Sequence, residues 1–179
     1  MTTEKTHAFN RINAELNAAG TDRGIAVLGG SFIEGLLSDL LAQTMVPGKA
    51  TDNFLRKTPV NVLQKIAFFS GLIPKALHED LEKISSVRNA FAHRLAVESF
   101  DEETVREHIE KMNAGKSSLT FSGEPPAGWS TSINAVNDMP LRWQFIYIVA
   151  MAGGALDQIA THISQSARQP VESTWTYPV

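Results

Sequence analysis

The chain contains no cysteine, so disulfides, thiolate metal sites and cysteine nucleophiles play no part in its fold or chemistry. It also lacks a charge excess of one sign. Sixteen Lys and Arg against 19 Asp and Glu leave a net charge of −3, without the basic footprint of non-specific nucleic-acid binding. No apolar run reaches the roughly 20 residues that a bilayer span needs. The longest, Phe145 to Leu156, is interrupted by Gly153-Gly154. The segment Met1 to His7 has no apolar core of a secretory signal. These absences predict a cytoplasmic protein without membrane contact. Period-2 alternation and internal repeats are missing as well, which argues against a sheet and against a solenoid. His78-Glu79-Asp80 and His108 lie outside any H-E-x-x-H register, so no metal or cofactor is expected. Gly29-Gly30-Ser31 and Gly153-Gly154 follow no strand and do not form a phosphate-binding loop. Ser31 has no histidine signal nearby for nucleophilic catalysis.

What remains is a 179-residue chain, 43% hydrophobic and 20% charged, the size and composition of one globular domain. Its apolar spacing is helical throughout. Phe9, Ile12 and Leu16 share a face of a first helix over residues 8 to 19, closed by Gly20. Thr21 or Asp22 then caps a second, from 23 to about 44, with one stripe of Ile25, Leu28, Phe32, Leu36 and Leu40. Val27, Leu37 and Leu41 form another side. Two apolar sides predict a helix that is central or shared with a partner. Its Gly29, Gly30 and Gly35 suggest close approach by another backbone, and Gly153-Gly154 on the last helix is the candidate.

After Pro47-Gly48 the pattern gives a helical turn around Phe54. A third helix follows, with Thr58 as its cap and Pro59 at its first position. A fourth runs from Pro74 to about Arg94, and a fifth carries Val105, Ile109 and Met112 inward after Phe100-Asp101-Glu102-Glu103. Residues 114–138 read as a Pro/Gly-rich loop or flap in which Leu119-Thr120-Phe121 could pair as a short strand. The final helix spans about 139 to 167, and 169–179 form an extended tail. Trp143 and Tyr147, four apart, suit core or dimer contacts better than base stacking. The expected fold is an all-α helical bundle of about six helices in a single domain, 1–179.

One segment departs from the bland pattern: Arg88-Asn89-Ala90-Phe91-Ala92-His93. Leu77, Leu81, Ile84 and Phe91 define an apolar stripe, and Arg88 falls inside it at roughly 100° per residue. Its charge must be neutralised, wetted or used. Glu34 and Asp39 on the second helix are the candidate carboxylates for a bundle-spanning ion pair. His93, near a helix C-terminus, can favour the dipole and cap carbonyls. Asn89 and His93 are four apart and share a flanking face.

The spacing of Arg88, Asn89 and His93 resembles the R-x(4-6)-H motif of HEPN domains, helical bundles that are commonly dimeric. The resemblance implies a metal-independent endoribonuclease site with Arg88 as phosphate clamp, His93 as acid or base and Asn89 as orienting group. Histidine chemistry near neutral pH and a fixed positive charge suit such a reaction. A longer resemblance surrounds it. Lys65-Ile66-Ala67-Phe68-Phe69-Ser70-Gly71-Leu72-Ile73, Asp80-Leu81, Val87 to His93, Phe100-Asp101 and the earlier Phe32-Ile33-Glu34 are similar to the mannitol repressor (MtlR-like) family. The Pro/Gly-rich insertion after Asn113 and the aromatic tail depart from that pattern. The resemblance implies negative regulation of sugar-alcohol uptake genes through an unidentified regulatory protein partner. No helix-turn-helix with a basic recognition helix is present for direct DNA reading. The sequence thus predicts a homodimeric regulatory interaction protein. The alternatives are a ribonuclease acting on RNA and a small-ligand sensor of sugar alcohols.

Overall fold

The computed structural model describes residues 7–116 and 135–165. Seven α-helices form among them: α1 (His7–Ala18), α2 (Asp22–Ala42), α3 (Lys49–Lys57), α4 (Val60–Phe69), α5 (Lys75–His93), α6 (Glu103–Glu110) and α7 (Leu141–Gln165). Two single-turn 3₁₀ helices, Ala114–Lys116 and Val136–Asp138, precede α7. No strand occurs among the described residues. The proposed strand at Leu119-Thr120-Phe121 and the tail 169–179 lie outside them. The two ends of the predicted 114–138 loop are helical turns, because Asp80 and Gln144 supply their backbone partners, as described below.

Each helix begins and ends where local chemistry dictates. Gly20 turns the chain at φ 65°, and Thr21 then caps α2 by accepting a hydrogen bond from the Gly24 amide at 3.1 Å. Gly71, at φ 70°, closes α4 as the Leu72 amide donates to the Ala67 carbonyl at 2.9 Å, a Schellman closure. At Thr58 the structure differs from expectation. Its hydroxyl donates back to the Phe54 carbonyl at 2.6 Å and so ends α3, while Pro59 occupies the cap of α4 with no side-chain bond. The stretch expected as a turn around Phe54 is the nine-residue helix α3. Only Leu55 of α3 is buried, so its sequence carries no apolar stripe from which to read it.

α2 is the central helix, packed by α1, α3, α4, α5 and α7. Its Gly29 faces α7, where an added Cβ would stand 3.4 Å from a Val149 methyl and 3.5 Å from the Phe145 ring. The adjacent Gly30 faces α5 instead. The predicted glycine-to-glycine approach is therefore half met: α2 and α7 do pack through Gly29, but Gly153 receives the side chains of Ile12 of α1 and Leu36 of α2, and Gly154 that of Phe9 of α1. Phe91, Phe100 and Phe145 are fully buried. They form a ring chain with centroids 5.1 and 5.0 Å apart, joining α5, the α5–α6 connection and α7.

By length and composition α2 and residues 141–164 of α7 could each cross a bilayer. Here their apolar faces are core, and the same pattern marks a central bundle helix. The glycine contacts give a paired test. Gly153→Val drives a branched side chain into Ile12 and should destabilise by about 1–3 kcal/mol in urea unfolding. Gly35→Ala, with nothing within 4 Å of the new methyl, should instead be neutral or stabilising by up to about 1 kcal/mol.

Candidate functional site

The end of α5 is held by the start of α2. Arg23 donates from Nη1 to the Phe91 carbonyl and from Nη2 to the carbonyls of Val97 at 2.9 Å, Arg94 at 3.3 Å and Leu95 at 3.4 Å. One guanidinium thus satisfies a carbonyl of the last turn of α5 and three of the cap and connection that follow, with charge favourable to the dipole. The neighbouring Asp22 accepts from the Phe100 amide at 3.0 Å and from Arg142 Nη1 at 2.7 Å. Arg142 also reaches the Gly20 carbonyl at 3.2 Å. The sequence did not expose this pair as a hub, since adjacent opposite charges at a helix start look like ordinary capping.

Arg88 lies in the apolar stripe as predicted, but no carboxylate among the described residues pairs with it. Glu34 and Asp39 are exposed, and neither forms an ion pair with Arg88 among the described residues. The reason is steric. The aliphatic stem of Arg88 lies over Gly30, whose hypothetical Cβ would be 2.6 Å from Arg88 Cγ. The stem is covered by α2, and Nη1 donates to Asn89 Oδ1 at 3.0 Å. The missing Cβ of Gly30 is therefore what lets an arginine occupy a core-facing position.

Asn89 and His93 do converge, on a groove of about 530 Å³ between α5 and α6. Ser86, Ala90 and Arg94 line its α5 side, and Thr104, Glu107 and His108 its α6 side. Arg88 is not among the lining residues; it reaches the groove through Asn89. His108, which lacked any recognisable register in sequence, joins the site only because α6 folds back along α5. Burial holds its pKa below the ordinary histidine value, helped by Lys111, Lys83 and Arg94 and opposed by Glu107.

Two buried polar groups brace the surroundings. The Asp80 carboxylate accepts from the amides of Asn113 at 2.6 Å and Ala114 at 2.9 Å, fixing the turn after α6. Gln144 Nε2 donates to the carbonyls of Met139 at 2.6 Å and Asn137 at 3.1 Å, fixing the turn before α7. Among the described residues no cluster of three or more His, Cys, Asp or Glu could hold a metal.

These features define an all-α bundle in which a central helix clamps the end of a motif-bearing helix beside a polar groove. Its fold is similar to that of a chain in the X-ray structure of the MtlR-HPr complex from Escherichia coli. The TM-score is 0.54 at 17% sequence identity, with 88% of this chain and 98% of that chain covered. No protein-family model matches the sequence, and no curated protein matches it significantly.

Arg23→Met keeps the stem and removes the clamp. It should lower stability by about 2–3 kcal/mol, the worth of a charged donor to backbone acceptors, and speed amide exchange after His93. Arg23→Lys, a single point donor, should recover less than half of the loss. For His108 the sign is fixed by its lowered pKa. Protonation costs more in the folded than in the unfolded chain, so this contribution is intact above the unfolded value of about 6.5 and is lost as pH falls through the folded one. His108→Gln should therefore flatten the acid limb of the melting temperature against pH below about 6.5.

Proposed function

We propose that the protein is a mannitol-repressor-like regulatory bundle that acts by binding another protein and reads no DNA sequence itself. The observation that carries this reading is the end-to-end likeness to a chain of the MtlR-HPr complex, with 98% of that chain covered. A helix bundle of net charge −3 without a basic recognition helix is consistent with regulation through protein contacts. The partner class is a small regulatory protein of the HPr kind, and the bundle works as a homodimer in the cytoplasm. Titration calorimetry with HPr from the same host should give saturable binding with a Kd in the micromolar range or below. Absence of binding at tens of micromolar, together with sequence-specific DNA retention at physiological salt, refutes the reading. Light scattering should return twice the monomer mass at the same concentrations.

A second reading is favoured by one observation: Asn89, His93 and His108 share a groove, which supplies two imidazoles in different environments for acid–base work. On this reading the protein is a metal-independent endoribonuclease of the HEPN kind, with Arg88 setting Asn89. RNA incubated with chelator should be cleaved by the wild type, and His93→Ala should lose at least a hundredfold in rate. Equal cleavage by both proteins, or none by either, removes it.

A further inference from the structure

The α5–α6 groove is rich in hydrogen-bond donors that no other described residue uses. Arg88 donates to Asn89 Oδ1, and this orients the amide so that Nδ2 keeps both of its hydrogens for the groove. The side chains of His93, Arg94 and Thr104 line the same space, and none of them hydrogen-bonds to another described group. The Ser86 hydroxyl spends its hydrogen on the Glu82 carbonyl at 3.0 Å, which leaves its lone pairs free. The one carboxylate in the lining, Glu107, is paired with Lys111 at 3.0 Å.

We propose that this groove is a binding site for a small phosphate monoester, held by Arg94, His93 and the Asn89 amide. The phosphoryl group offers three strong acceptor oxygens, and a guanidinium can hold two of them in a fork. Arg94 is the one fixed cation in the lining, on a molecule of net charge −3. Its volume of about 530 Å³ lies within the range of small-molecule sites. The lining contains no aliphatic side chain larger than Ala90 and no Phe, Tyr or Trp. A compact, strongly anionic ligand is therefore matched, and a stacked nucleobase is not. This inference is independent of the protein partner proposed above.

The test uses the full-length protein, with methyl phosphate as the probe and methyl sulfate and acetate as comparisons. The imidazole C–H resonances of His93 and His108 are followed by NMR. Methyl phosphate should shift both saturably in the millimolar range, and acetate should bind at least tenfold more weakly. Arg94→Gln and Asn89→Asp should each weaken binding about tenfold or more, the loss of one charge-assisted contact. Both sites are exposed, and an unchanged melting temperature confirms that the variants fold. No saturable shift by tens of millimolar, equal binding of acetate, or undiminished binding by Arg94→Gln overturns the proposal. So does a single-stranded RNA oligomer that binds the groove and is not displaced by methyl phosphate, an outcome that favours the nuclease reading. Failure of HPr binding leaves these resonance shifts unaffected, so the two proposals fall separately.

Discussion

The first turn of α2 governs where the other helices stand. Asp22 and Arg23 are consecutive, so their side chains diverge, and each ties α2 to a different part of the chain. Arg23 gathers the carbonyls that end α5, while Asp22 holds the Phe100 amide and Arg142 at the start of α7. Both ions are half-buried. Their interactions are therefore less screened than a surface pair, and leaving either group unmatched costs more than a missing surface contact. The Phe91, Phe100 and Phe145 rings lie among the same elements. Polar clamp and aromatic core thus set one geometry by two independent means.

The candidate site is a consequence of that geometry more than of the motif that first draws notice. With Gly30 opposite, Arg88 can lay its methylenes against α2, and the energetic demand for a buried counter-ion disappears. What is left of its charge orients Asn89. His93, Arg94 and His108 then share a groove because the turn that Arg23 stabilises brings α6 back along α5. Arg88 acts on the site at one remove, through the amide it polarises.

Helix existence was legible wherever burial is one-sided. α1, α2, α4, α5 and α6 all declare themselves by apolar spacing, and the inward residues Val105, Ile109 and Met112 are fully buried as the spacing implies. Legibility failed where a helix has no buried stripe, as in α3, and where one residue can serve either of two neighbouring helices, as Thr58 does. Side-chain partners across the bundle were harder still. Glu34 and Asp39 were reasonable carboxylates for Arg88 by position along α2. Yet Gly30 settles the contact by admitting the Arg88 stem against α2, and its absent side chain leaves no periodic signal. The groove shows the same limit: Asn89 and His93 share a helix and were readable together, whereas His108 enters only through tertiary folding.

The sparse attachment of α3 has a further consequence. A helix anchored by Leu55 alone, bounded by Pro47-Gly48 on one side and Thr58-Pro59 on the other, contributes little to the common core. Its opening free energy is set by local terms, well below that of global unfolding. It is therefore the part of the bundle where insertions, deletions and wholesale replacement are tolerated best. Among proteins that share this architecture, length and sequence should diverge most between α2 and α4, while the start of α2 stays bound to its partners.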